Sequence, residues 1–567
     1  MGEGRHRRRY GLLTAMIGVV LVGFNGASGI RSLAAEDVMR FVVEVTKEMV
    51  TVQVLPEEIS QSYWETKARE NFQDALHLFS PFAQATQKAK NVILFLGDGM
   101  GLPTVAAGRF YRGMMTNSPG GARQFSFENF DFNTLVRTYD LETMVTDSAS
   151  SATAFLTGAK TRTGMLGLTG AVELKQCLAY NASVKTMSIL KAASRAGKST
   201  GIVTTTRVTH ASPAAAYAHV AYRNWECDTD IRSDCIGPDC NCTDIAQQLA
   251  LDNLDINVIL GGGQAKFYPN TEYLPSAPTI KGERTDSQKL PELWLKAQTD
   301  KGRRAALIRS VAEYQNISLD DTEYVMGLLF PSHLPYALDK ASGDPTLKDL
   351  TEKAIKILRK SEKGFFLLVE GGQIDMGHHE NKAKKALTEM LELDDAIVAA
   401  MKFTNPEETL ILVTADHSHA FELVGQPSRF QNLLLREVVY GSKVLDQRGL
   451  VPVAYMNGPG AKINQTREDL NKVDEATLQG TDYRQQALAP LRWSTHGGED
   501  VGIYAQGPFS WMFHRTVDNT FIAQTMKYAM CVEPYTTEKH CNYCASLQAK
   551  WTFVLTLFTH ILLEKLK

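Results

Sequence analysis

The stretch Val145–Gly158, VTDSASSATAFLTG, sets an Asp-Ser pair ahead of small, helix-compatible residues, which puts Ser148 at a helix start. A serine hydroxyl is a weak nucleophile until something beside it takes its proton or lowers its pKa. The Gly-x-Ser-x-Gly elbow of serine hydrolases is missing. On these residues alone, Ser148 is either the N-cap of a buried helix or a nucleophile activated from elsewhere in the chain. Four other segments carry groups able to do that. NVILFLGDGMG holds Asp98, and GIVTTTRVTHASP holds His210 and Ser212. GFFLLVEGGQIDMGHH holds Glu370, Asp375, His378 and His379; TLILVTADHSHA holds Asp416, His417 and His419. Carboxylates with imidazoles are the donor set expected for zinc, and carboxylates with a hydroxyl suit magnesium. So many acids in one place would repel one another without cations, and paired metals are a known solution for phosphoryl transfer.

The elements that must position these residues are legible too. The acids of three segments follow apolar runs, Val92–Leu96, Phe365–Val369 and Leu410–Val413. Short continuous runs of this kind suit strands buried on both faces, as in a largely parallel sheet. Helical patterns at Lys348–Leu358 and Ala383–Met401 alternate with them, so the class is α/β. Sites in such sheets form outside the carboxyl ends of the strands, where distant segments can meet.

The chain has 567 residues, 44% of them apolar, with 60 basic against 63 acidic side chains. A net charge of −3 leaves no electrostatic footprint for nucleic acid. Arg7, Arg8 and Arg9 precede an apolar run from Gly11 to about Phe24, so residues 1–29 read as a secretory signal peptide. A signal anchor is the rival, although the run is short for a membrane span. Secretion agrees with glycosylation sequons at Asn181, Asn241, Asn316 and Asn464. It agrees also with eight cysteines, of which Cys227, Cys235, Cys240 and Cys242 are grouped as for disulfides. A zinc knuckle is the alternative, but the spacing fits no strong template and histidines are missing nearby. Cys531, Cys541 and Cys544 mark another short closed loop. The apolar tail Trp551–Leu563 reads either as part of a glycolipid-anchor signal over 545–567 or as a terminal helix.

The motifs LGDGMG, DSASSATA, TTTRVTHASPAAAYAH with YRNW, VEGGQIDMGHH, TADHSHAF and THGGEDV follow in order between about Tyr63 and Pro534. In these the chain resembles the animal alkaline phosphatases. The resemblance implies a three-layer α/β/α catalytic domain over 61–535 with a large, mostly parallel central sheet. It also implies a small surface crown lobe at about 425–490, and leaves 36–60 as a variable N-terminal arm. One zinc ion would be held by Asp375, His379 and His496, and a second by Asp98, Asp416 and His417. Magnesium would take Asp98, Ser212 and Glu370, with His210 behind them. Ser148 would be the nucleophile, activated by zinc, Arg223 would clamp the phosphate, and Asp147 would orient Arg223.

The implied activity is hydrolysis of phosphate monoesters at alkaline pH through a phosphoserine. A phosphodiesterase of the same superfamily and a cell-surface receptor on a metal-stabilised fold are the alternatives. A homodimer, secreted or held by a glycolipid at the extracellular face, is implied as well. So are disulfides between Cys177 and Cys242 and between Cys531 and Cys541 or Cys544. Cys227, Cys235 and Cys240 stay unassigned, with one thiol left over. Two positions depart from the pattern. Met376 stands where relatives carry His or Lys, and Phe330 stands where an acid of a calcium site is expected, so no calcium is predicted. His219, His378 and His419 are expected to support the site rather than bind metal.

Overall fold

Side chains such as those of Val92–Leu96 and Phe365–Val369 leave neither face of a strand fit for water, so these strands must lie between two layers of helix. The computed structural model describes residues 55–79, 88–117, 123–235, 240, 242–437 and 444–542. Residues 1–29, expected to be a signal peptide, most of the segment 36–60, the apolar tail, Asn241 and Cys544 lie outside the described residues.

The central sheet has ten strands. In chain order they are β1 (Asn91–Gly97), β2 (Phe132–Arg137), β3 (Ser199–Arg207), β4 (Val258–Gly262) and β5 (Ala305–Ile308), then β6 (Tyr324–Leu328), β7 (Phe365–Gly371), β8 (Thr409–Thr414), β9 (Val501–Gln506) and β10 (Val517–Asp518). Their order in space is β10-β2-β9-β8-β1-β7-β3-β4-β6-β5. Only β9 runs against the others. At the centre, Phe95 pairs with Val413 on one side and Val369 on the other, and all three are fully buried.

Among the helices are α1 (Gln61–Leu78), α2 (Leu102–Met115), α3 (Ser148–Thr157), α4 (Ile189–Arg195), α5 (Leu347–Leu358), α6 (Gln373–His379), α7 (Ala383–Phe403) and α8 (Thr520–Met530). One set, α2, α5 and α7, packs together and on β1, β3 and β7; the other, α1, α3, α4 and α8, packs together and on the same strands. Helix α5 shows how the sequence sets such a boundary. Thr346 caps it by accepting from Asp349 N–H, and Asp349 reaches back to the Thr346 N–H. Its buried face then runs Leu347, Leu350, Thr351, Ala354, Ile355 and Leu358.

Strands at Phe421–Leu423, Val453–Gly458 and Ala487–Pro490 form a separate three-stranded sheet. It has its own small core, in which Phe421, Leu434, Val453 and Tyr455 meet Tyr111 of α2 and Leu387 of α7. Disulfides join Cys177 to Cys242, Cys235 to Cys240 and Cys531 to Cys541. Cys227 is a buried free thiol, pushed up to about 12 by burial and by Asp230.

Candidate metal centre

Four adjacent strands deliver metal-type side chains. Asp98 follows β1, Glu370 closes β7, Asp416 and His417 follow β8, and His210 and Ser212 follow β3. The turn after β1 needs its glycine: Gly99 has φ +69°, and a Cβ there would meet Asp375 at 3.2 Å. The Gly99 N–H instead donates to Asp416 Oδ1 at 3.0 Å, tying the β1 and β8 ends together.

Three groups of metal-type side chains result. Asp375, His379, His419 and His496 form one, Asp98, Asp416 and His417 the second, and Asp98, His210 and Glu370 the third. Asp98 therefore belongs to two of them. Ser212 Oγ is buried and lacks a hydrogen-bond partner.

The imidazoles are set by their backbone contacts. His379 Nδ1 lies 2.6 Å from the Ser494 carbonyl, His417 Nδ1 2.9 Å from that of Ser418, and His496 Nδ1 2.9 Å from that of Thr146. A carbonyl accepts only, so each ring carries a hydrogen on Nδ1 and turns Nε2 inward, the nitrogen left free to meet a cation. His419 has the opposite arrangement. Its Nδ1 accepts from the Ala420 N–H at 3.1 Å, which leaves the hydrogen on Nε2, 3.3 Å from Asp375 Oδ1. It turns that hydrogen, rather than a lone pair, toward the carboxylate.

His378 spends both nitrogens on hydroxyls, Thr104 Oγ1 at 3.0 Å and Tyr455 OH at 2.9 Å. His219 is remote from the groups, with Nε2 on the Thr186 carbonyl.

Ser148 opens α3, and Asp147 rather than Ser148 is the N-cap: Asp147 Oδ1 accepts from Ser150 N–H at 3.0 Å. The N-cap alternative for the serine is thereby corrected. With no capping duty, Ser148 Oγ sits 3.1 Å from His417 Nε2. The other carboxylate oxygen of Asp147 accepts from Arg223 Nη1 at 3.0 Å, and Arg223 Nη2 reaches His210 Nε2 at 3.2 Å. Burial opposes charge on Asp147, but Arg223 and the N–H groups of Gly164 and Ser150 outweigh it and hold the carboxyl down at about 2.

The chemistry of the donor set can be tested on its unmet oxygens. Both Asp98 oxygens, Asp416 Oδ2, Asp375 Oδ1, Glu370 Oε1 and Ser212 Oγ are buried without hydrogen-bond partners. Each such group costs about 1–3 kcal/mol, and more when charged. Burial, then the charges of Asp416, Asp375 and Glu370, push the Asp98 carboxyl well above its usual range, and burial lifts Glu370 to about 7. Divalent cations among these oxygens would satisfy all of them at once, so the residues fit zinc and magnesium.

The sequence did not reveal the hydroxyls behind Glu370, whose Oε2 accepts from Thr204 and Thr206. The run Thr204–Thr206 was the available signal, since strand threonines at i and i+2 share a face.

The sequence model of the alkaline phosphatase family matches residues 89–532. An alkaline phosphatase of Gadus morhua is 40% identical over 84% of this chain and 98% of its own. The human tissue-nonspecific isozyme is 39% identical over 87% of this chain and 93% of its own. Among solved structures, alkaline phosphatase from the Antarctic bacterium TAB5 covers 79% of this chain and 99% of its own, at TM-score 0.53 and 22% identity. That of Thermus thermophilus covers 78% and 91%, at TM-score 0.54 and 24% identity; both show the fold. A mutant of the TAB5 enzyme has been solved with Mg bound in its M3 site.

Proposed function

The chain belongs to the alkaline phosphatase family and hydrolyses phosphate monoesters, and from this premise we propose that Ser148 is the nucleophile. Asp375, His379 and His496 would hold one zinc ion, Asp98, Asp416 and His417 a second, and Asp98, Ser212 and Glu370 a magnesium ion. When bound, these cations supply positive charge that favours a deprotonated serine oxygen and offsets charge on the leaving oxygen.

The observation that carries this reading is Ser148 Oγ at the start of a buried helix, beside the inward Nε2 of His417 and near the Arg223 clamp. The backbone N–H groups of the first turn of α3 favour an anion there. Ser148 Oγ forms a bond to phosphorus as the bond to the alcohol oxygen breaks, and the serine proton ends on the departing alcohol. Water then attacks the phosphoserine, restoring the hydroxyl and releasing inorganic phosphate. Arg223, anchored on Asp147, keeps guanidinium hydrogens for two phosphate oxygens. That grip favours monoesters, because a diester has one of those oxygens esterified. Acid-quenching the enzyme during turnover and sequencing it by mass spectrometry should place phosphate on Ser148. Phosphate on another residue, or on none, would refute the assignment.

Two substitutions probe the surroundings. Arg223→Lys replaces a planar fork with a point charge and lowers kcat/KM on p-nitrophenyl phosphate by about ten- to hundredfold. The same change on its bis-ester should cost far less. Met376 lies on α6 beside Asp375, half-buried, and offers the phosphate no strong donor. Met376→His should therefore tighten inhibition by inorganic phosphate by about three- to tenfold, with a change in kcat. Unaltered constants would count against a phosphate contact at this position.

Secretion is supported by the exposure of Asn181, Asn316 and Asn464 and by the three disulfides. No described helix is long and apolar enough to cross a membrane. A glycolipid anchor in place of the tail is tested by mass spectrometry of the mature C-terminus. Met456 and Leu488 are exposed on the three-stranded lobe, which supports a homodimer through that face. Sedimentation of the Leu488→Glu variant as monomer, against dimeric wild type, is the corresponding test.

A further inference from the structure

At the end of the sheet opposite Asp98, the four central strands start from a row of charged residues. Glu408 directly precedes β8, Lys90 precedes β1, Lys198 precedes β3, and Lys363 lies two residues before β7. Because β8, β1, β7 and β3 are neighbours in that order and parallel, these residues stand side by side. With Lys88 and Glu362 they line a hollow of about 430 Å³, and Cys531 of the Cys531–Cys541 disulfide stands on its wall.

Lys198 is the most enclosed of the four lysines. Its Nζ donates to the carbonyls of Lys90 at 2.9 Å and Lys363 at 2.7 Å. An ammonium has three hydrogens, so one remains for whatever fills the hollow. Burial, then the charges of Lys88, Lys90 and Lys363, pull this amine down to about 8. The two carboxylates offset the four lysines only in part. Glu408 comes no nearer than 4.0 Å to Lys90, and Lys88, Lys363 and Glu362 form no ion pair among the described residues. A concave cluster with an excess of one sign lowers the energy of an opposite charge placed within it, more so with low-dielectric walls.

We infer that this hollow is a second anion site, remote from Ser148, which takes a doubly charged tetrahedral oxyanion such as a phosphate group. Lysines bind such groups as point charges, without the fixed fork an arginine needs. The group can arrive as a free ion or as the headgroup of an anionic lipid.

Trace acylation of the holoenzyme near pH 7, read at each lysine by peptide mass spectrometry, distinguishes these sources. The readout is local, so phosphate bound at the catalytic serine does not register. A bound dianion should raise the Lys198 amine by about one pH unit, cutting its labelling about tenfold. Lys88, Lys90 and Lys363 should be shielded as well, while the exposed Lys296 on another face labels as before. Protection by inorganic phosphate assigns a free ion. Protection only by phosphatidylcholine vesicles containing phosphatidic acid, and not by phosphatidylcholine alone, assigns a headgroup. The inference is overturned if neither protects Lys198 or if Lys296 is protected equally. It is overturned also if the double variant Lys90→Gln/Lys363→Gln, expected to keep its phosphatase turnover, protects Lys198 as well as wild type.

Discussion

Ser148→Ala should lower kcat on phosphate monoesters by about 10⁴-fold or more, with little effect on stability or metal content. The structure separates these outcomes. Asp147 caps α3, so removing the serine hydroxyl leaves the capping bond to Ser150 N–H in place. Alanine is a better helix former at the vacated position, and the lost volume is one oxygen atom. Neither the unmet carboxylate oxygens nor the three inward Nε2 atoms belong to Ser148. Residual turnover, from water attacking the clamped ester directly, should proceed without phosphoprotein. Full activity in the variant would eliminate the phosphoserine route. A lower melting temperature with loss of metal would instead make Ser148 a structural residue.

Stripping the metals with a chelator should abolish turnover and also lower the melting temperature, both restored by zinc and magnesium. A ligand bound only by the native state stabilises it by RT ln(1 + [L]/Kd), about 4 kcal/mol for each ion at a thousandfold excess over Kd. Its removal here leaves Asp98, Asp416 and Glu370 fully buried beside one another. Because Asp98 belongs to two groups and His496 to one, two substitutions should differ in kind. Asp98→Asn should reduce both zinc and magnesium content in elemental analysis, whereas His496→Gln should reduce zinc alone. Equal losses in the two variants would contradict the shared role of Asp98. A metal-free protein with undiminished turnover and melting temperature would end the reading altogether.

Much of this was legible in the chain because each key acid follows a run that only a doubly covered strand can satisfy. The chain alone puts Asp98, Glu370 and Asp416 at the same end of one sheet, since parallel strands share a carboxyl end. The identity of the helix cap was not legible, because Asp147 and Ser148 are both good caps and only backbone dihedrals tell them apart. Nor was the contrast between His417 and His419, two residues apart in one motif. It depends on whether a ring nitrogen meets a carbonyl or an N–H. The pairing of Cys235 with Cys240, and the solitude of Cys227, likewise follow from tertiary distances that spacing does not encode.

The groups gathered in the candidate metal centre are drawn from a long span of the chain, from Asp98 to His496. No early portion of a growing polypeptide can therefore capture its ions in the native way, and a product cut short before His496 forfeits one donor while keeping the rest. On the proposed ligand set, ion capture would therefore wait for completed synthesis.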